Sequence, residues 1–388
     1  MKKILITGAF IINAILSNAQ NNTGRDCNLG ITINNSYSKA LVLDSLLQQY
    51  TTNALPGAAM AVYTEREGWW ASAKGYASLE NKSPMENCNL QYLQSVSKTY
   101  IAVAMLKLKE QGKIDFDDPI TKYLHVRYSK YVKDAEKITV RMLLNHRSGI
   151  PEYNSNPGFV ASVLMHPASY FTGEDCLKTI NGEGLQFTPG SKYKYANTNY
   201  LLLSLIEDSI TGDHAAFIKK IIFEPLGLGN TYYANNHSYL NGLNLPASYW
   251  DVLNENRPVN ITRLQVVSVA SSKGDDGIVC TPADAVKFLK GLIEGKLLSP
   301  ASMKEMFDFV KDEKGNDKYG MGMFYFDLGG ITAYGHGGGG IGAGCGLLYI
   351  PSHKTYLFIS TNLGVIAGGN LAEKADELKN KILLSLLQ

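Results

Sequence analysis

The chain has 388 residues, 45% of them hydrophobic, and a formal net charge of +2 from 37 basic and 35 acidic side chains. That balance, without a long run of one sign, excludes the electrostatic footprint of a nucleic-acid or anionic-membrane binder. Five widely spaced cysteines, Cys27, Cys88, Cys176, Cys280 and Cys345, contain no Cys-x-x-Cys pair. One bridge is possible, but a disulfide scaffold is not expected.

Lys2 and Lys3 precede an apolar stretch from Ile4 to Leu16 and then Ser17-Asn18-Ala19, the layout of a cleavable secretory signal over residues 1–19. A membrane anchor needs roughly 18 to 20 apolar residues, more than this stretch supplies. The mature chain is therefore expected to be periplasmic or secreted, near neutral, without a membrane span. About 370 residues remain, ample for a large core. A polar leader over 20–38 gives way to a helical stripe at Leu41, Leu43, Leu46 and Leu47. Segments 57–63 and 68–73 read as strands about a turn at 65–67. Residues 95–111 are apolar on several faces and stop at Gly112, as a buried helix with a glycine cap would. Further helices are expected at 140–144, 200–209, 215–222 and 283–294. Strands follow at 320–326, 331–334, 346–350 and 355–361, and a closing amphipathic helix at 371–387. The expected fold is α/β (α+β), with an antiparallel sheet and flanking helices built from both ends of one catalytic domain, 39–388. The α/β lobe takes about 39–94 and 295–388. A mainly helical lobe, about 95–294, is inserted between them, and the seam is a natural place for a site.

A Ser followed three residues later by Lys occurs at Ser36, Ser95 and Ser191. Only Ser95 opens a long apolar helix, where residues i and i+3 share a face and unpaired N–H groups lie beside the hydroxyl. A plain helix cap with a surface lysine is the bland alternative. Against it, Val96, Tyr100, Ile101 and Ala102 surround Lys98 with apolar neighbours. Burial lowers a lysine's pKa, so Lys98 could take a proton from Ser95 or stabilise a nearby phenolate. Tyr195-Ala196-Asn197 is the second element. An adjacent ammonium such as Lys98 would pull the phenol down from its reference pKa of about 10. Asn197 could hold Lys98 and a substrate carbonyl. The third element is the glycine run 335–342. It contains Gly-x-Gly-x-x-Gly at Gly335, Gly337 and Gly340, but a strand follows where a dinucleotide loop needs a helix. Glycines on a strand instead let a substrate lie close to the backbone.

These elements sit in a longer series: Leu55-Pro56-Gly57, Gly75-Tyr76-Ala77, Gln94-Ser95-Val96-Ser97-Lys98-Thr99, Asp117-Asp118-Pro119, Leu143 to Ile150, Phe187-Thr188-Pro189-Gly190, Tyr195-Ala196-Asn197 and Gly335-His336-Gly337-Gly338. In order and spacing the chain resembles the serine β-lactamase, penicillin-binding protein and esterase family, nearest its class C-like branch. The resemblance implies a β-lactamase/transpeptidase-like fold and an acyl-enzyme formed on Ser95. Lys98 and Tyr195 would transfer protons and Asn197 would orient substrate. The third motif falls on His336, Gly337 and Gly338, and the oxyanion hole on the N–H groups of Ser95 and Gly339. His146, Ser148 and Gly149 match a structural stretch. Where the branch usually carries Lys-Thr-Gly, this chain has His336-Gly337-Gly338, so one partner for a substrate carboxylate is missing. The implied function is an exported serine hydrolase of amides or esters, a DD-peptidase, D-peptidase or esterase. A β-lactamase and a slowly deacylating penicillin sensor are the alternatives. The implied partner is a small-molecule or peptide substrate, whether D-amino-acid peptide, ester or β-lactam, with no cofactor and no metal. No serine sits in Gly-x-Ser-x-Gly and no His-Glu-x-x-His is present, which disfavours a Ser-His-Asp hydrolase and a metallo-hydrolase.

Overall fold

A computed structural model describes residues 28–388. The expected signal, Cys27 and the first part of the polar leader lie outside the described residues. A nine-stranded antiparallel sheet draws three strands from the start of the chain and six from its end. They meet where Gly57–Thr64 pairs with Thr355–Thr361, with Ala58 opposite Thr361 and Thr64 opposite Thr355. Both strands are covered on both faces, so they read as apolar runs without a polar alternation. Ala58, Met60 and Val62 face the helices Ala40–Asn53 and Asn370–Leu387, packing with Leu43, Leu47, Leu378 and Ile382. Those side chains recur at three- and four-residue spacing, which gives each helix one apolar stripe. Ala61 and Phe358 face the opposite way, into the main core with Val286 and Leu289. The helix Pro282–Ile293, expected among the inserted helices, thus lies on the sheet.

The central helix Ser97–Glu110 is buried around its circumference and is entered through a single 3₁₀ turn, Gln94–Val96. It ends as the glycine predicts. Gly112 takes φ +66°, its N–H donates to Lys109 O, and the Lys113 N–H reaches back to Leu108 O, the paired bonds of a Schellman cap.

Residues 320–326 are not one strand. Asp317–Tyr319 and Phe324–Asp327 pair as a hairpin whose turn carries Gly322 at φ +70°. The turn presses on the central helix: a Cβ on Gly322 would stand 2.7 Å from Ala102 Cβ and 2.8 Å from Lys98 O. Its carbonyl also accepts the Thr99 hydroxyl at 2.6 Å. Alternation in the sequence could not show this, because the glycine's contact is with a distant helix. Gly322→Ala is expected to destabilise the protein by about 1–3 kcal/mol through overpacking and left-handed strain. Urea unfolding reads this directly, and a wild-type midpoint would show that the turn can relax.

Candidate active site

Ser95 stands at the entry of the central helix, behind a strained residue. Gln94 holds φ +49°, a left-handed conformation costly for a residue with a side chain. The kink leaves Ser95 half-buried while Val96 and Ser97 turn inward. Lys98, with no exposed surface, donates to Ser95 Oγ at 2.9 Å and to the Asp275 main-chain carbonyl at 2.7 Å. Burial holds the Lys98 ammonium below its ordinary range, while the carboxyls of Asp275, Asp276 and Glu152 oppose that shift. Ser36 and Ser191 are exposed at the surface.

Tyr195 precedes the helix Asn197–Thr211 by two residues. Its ring stacks on Phe324 and lies 4.2 Å from the His146 ring, centroid to centroid. Lys98 Nζ sits over the Tyr195 face, 5.2 Å from its centroid. The buried hydroxyl makes no hydrogen bond of good geometry. The expected depression of its pKa is not found: burial pushes the phenol up, the contact with Ser95 opposes this, and three nearby carboxyls add to the rise. Tyr195 is therefore a neutral phenol in the resting site. Asn197 does not hold Lys98; its main-chain N–H donates to Glu152 Oε2 at 2.5 Å, and its side chain is left free of protein partners among the bonds observed. His146, at φ +56°, accepts the Ala196 N–H on Nδ1 and meets the Asn199 amide at 3.0 Å, which fixes the turn carrying Tyr195.

The strand Thr332–Gly339 brings the third motif alongside. Its glycines divide by direction. A Cβ on Gly338 would lie 2.5 Å from Leu93 O and 2.6 Å from Cys345 Sγ, and one on Gly340 would strike the Gln94 amide. These two serve close packing against the turn that holds Ser95, leaving Gly338 only its main chain to offer a substrate. Gly337 and Gly339 are exposed, and a Cβ on Gly337 would meet nothing within 4 Å. His336 is also turned inward, 2% exposed. Its Nδ1 lies 2.6 Å from Gly337 O and its Nε2 3.1 Å from the Tyr319 hydroxyl. That pattern fits a neutral ring donating from Nδ1 and accepting at Nε2. Burial, reinforced by the Lys98 charge, lowers its pKa to about 3. His336 is thus a buried prop beneath the cleft and not a cation facing substrate.

Three carboxyls around Lys98 escaped the sequence reading. Glu152 accepts the N–H groups of Asn197 and Asn154, and burial raises its pKa. Asp275 is buried and accepts the Tyr153 hydroxyl at 3.0 Å. Asp276 accepts the Gly277 N–H at 2.7 Å, and burial lifts it to about 7. The available signal for the two aspartates was Gly274-Asp275-Asp276-Gly277, two acids between glycines directly before the apolar Ile278-Val279. Among the described residues no cluster of three potential metal ligands occurs, Cys88, Cys176, Cys280 and Cys345 are free thiols, and no helix is long and apolar enough to cross a membrane.

A family model described as Beta-lactamase matches residues 43–378. Among curated proteins the chain is 28% identical over 303 residues to penicillin-binding protein 4* of Bacillus subtilis, covering 74% of this chain and 64% of that one. A putative penicillin-binding protein, PbpX, of the same organism is 28% identical over 282 residues, 72% of this chain and 64% of the relative. The chain thus spans just under two thirds of the length of these relatives. Solved structures share the fold. A D-stereospecific amidohydrolase from Streptomyces sp. superposes with a TM-score of 0.75 at 24% identity, covering 87% of this chain and 97% of that one. The D-amino acid amidase of Ochrobactrum anthropi SV3, complexed with D-phenylalanine, gives 0.75 at 23%, covering 91% and 100%.

Proposed function

We propose that this chain, which belongs to the beta-lactamase family, is an exported serine amidohydrolase acting through an acyl-enzyme on Ser95, with amides or esters of D-amino acids as substrates. The observation that carries the reading is the buried Lys98 donating to Ser95 Oγ at 2.9 Å. A lysine so buried is readied to be neutral, and a neutral amine is a competent base for a serine hydroxyl. In the proposed sequence, Ser95 Oγ bonds to the substrate carbonyl carbon as its proton passes to Lys98 Nζ. The developing oxyanion is received by the N–H groups of Ser95 and Gly339, a type of contact worth about 2.7–4 kcal/mol per donor. Collapse expels the amine or alcohol with the Tyr195 proton, and Lys98 returns its proton to Tyr195. Water then releases the acyl group by the reverse route. A neutral Tyr195 suits the donor half of this cycle.

The substrate class follows from charge. Lys98, the base, is set among three carboxyls, and His336 adds no cation. A ligand carboxylate, present in penicillins and in D-Ala-D-Ala peptides, meets no fixed positive partner on the third motif and several negative ones. An unblocked amine is favoured by the same field. The solved D-amino acid amidase of this fold is consistent with that choice. Export rests on the pattern in residues 1–19, and N-terminal sequencing of the mature protein should begin at Gln20.

A hydrolysis panel tests the class: D-phenylalanine amide, a short-chain ester, a D-Ala-D-Ala peptide and a chromogenic cephalosporin. The amide and ester should lead by at least about tenfold in kcat/KM, since one charge-assisted contact is worth about 1.5–3 kcal/mol. Gly337→Thr, which has room for its side chain, should narrow the gap by lowering KM for the two carboxylate substrates. A cephalosporin or D-Ala-D-Ala peptide leading the wild-type panel would refute the class, and a burst without steady turnover would mark a slow binder instead.

A further inference from the structure

The turn Gly274-Asp275-Asp276-Gly277 is held on every side. Gly274 and Gly277 take φ +87° and +111°, and a Cβ on either would strike Tyr200 O or the Tyr233 ring. The Gly274 N–H donates to the Tyr233 hydroxyl at 3.0 Å, and the Tyr239 hydroxyl donates to Gly277 O. At the apex, Asp275 meets Lys98 through its main-chain carbonyl at 2.7 Å while its side chain is clamped by Tyr153. Its Oδ1 is buried and has no hydrogen-bond partner among the described residues. An unpaired carboxylate oxygen in such a place is costly unless a nearby cation offsets it. The proton transfers described above use only the carbonyl of this residue, and nothing in them accounts for the acid.

We propose that Asp275 is a positioning residue for acylation, its carbonyl aiming Lys98 Nζ at Ser95 and its carboxylate stabilising the lysinium that forms as Lys98 takes the Ser95 proton. The inference rests on the acyl-enzyme reading. Asp275 itself exchanges no proton; the proton leaving Ser95 Oγ goes to Nζ as Oγ bonds to the substrate carbon. Of the groups facing Lys98, His146 and His336 are driven neutral by burial, and Tyr195 and Tyr200 are phenols whose burial keeps them protonated. Negative charge at Lys98 therefore comes from Asp275, Asp276 and Glu152, and Asp275 exerts the largest opposition to its desolvation. Asp276 and Glu152 spend hydrogen-bonding capacity on main-chain N–H groups. Facing Asp275 are Lys98 and the Tyr153 hydroxyl, with Glu152, Asp276, Cys176 and Tyr233 in the same buried neighbourhood.

The test is the rate of Ser95 labelling by an uncharged fluorophosphonate, followed across pH in wild type and in Asp275→Asn. Asparagine keeps the volume and can still accept from Tyr153. Without the carboxylate, Lys98 loses its proton at lower pH and is a weaker base. The ascending limb should move acidward by about one pH unit or more, and the plateau should fall about tenfold. A merely structural role would lower the plateau and leave the limb where it is, which would overturn the proposal. Should the asparagine variant fail to melt cooperatively, Asp275→Ser removes the same charge in a smaller volume, and the same limb is read. Wild-type protein that does not label at Ser95 would instead sink the acyl-enzyme reading, and this inference with it.

Discussion

Ser95→Ala is expected to abolish labelling by a fluorophosphonate and to lower turnover of every substrate by roughly 10³ to 10⁶-fold, with melting close to wild type. The loss is large because the alanine enzyme retains only substrate binding and oxyanion stabilisation, and members of such a catalytic unit are far from additive. Stability is spared because Ser95 is half-buried at the cleft, and the change removes one hydroxyl and its 2.9 Å contact with Lys98. Intact-mass spectrometry of wild type should show one adduct, mapped to the peptide containing Gln94-Ser95-Val96. Ser36 and Ser191 serve as internal controls, since both are exposed and followed three residues later by lysine. An adduct on either, or one that survives in Ser95→Ala, would remove Ser95 as nucleophile.

The Ser95–Lys98 contact was legible because its signal is local. A Ser-x-x-Lys pattern at the start of an apolar helix specifies a shared face and burial together, and the structure places both side chains in contact. The paired strands from the two chain ends were legible for a related reason: continuous apolar runs such as Ala58 to Val62 announce a strand buried on both faces. Direction within the glycine strand was not legible. Gly337 and Gly338 are the same residue type in sequence, yet one faces open space and the other Leu93, a distinction set by the pairing register with Gly346 and Cys345. Electrostatic balance was the other hidden quantity. The rise in the Tyr195 pKa comes first from burial and then from carboxyls at 152, 275 and 276, all of which surround Tyr195 only after the chain has folded. His336 illustrates both effects, since its inward orientation removes it from substrate and its burial removes its charge.

Lys98→Met should cut turnover by about 10² to 10⁴-fold, the usual contribution of a general base, and should carry a pH-dependent stability cost that Ser95→Ala lacks. Methionine fills much of the lysine's volume, so packing around the central helix is kept. What changes is charge. Asp275, Asp276 and Glu152 already titrate above the ordinary carboxylate range because burial disfavours their anions, and the Lys98 ammonium opposes that rise. Without it, their folded-state pKa values climb further above the unfolded ones. The folded variant then binds more protons than the unfolded chain, so its stability falls as pH rises from the unfolded range, about 4, through the raised folded values, that of Asp276 being about 7 even with Lys98 in place. At pH 5 the acids can protonate and the variant should melt near wild type. By pH 8 burial opposes their ionisation with no nearby cation to offset it, and the variant should fall below wild type by roughly 1.4 kcal/mol for each pKa unit by which the folded values rise. Urea melts of both proteins at the two pH values measure the gap. A gap that is equal at pH 5 and pH 8 would mean the three carboxyls are not balanced by Lys98. Turnover of Lys98→Met within threefold of wild type would take Lys98 out of the proton path altogether.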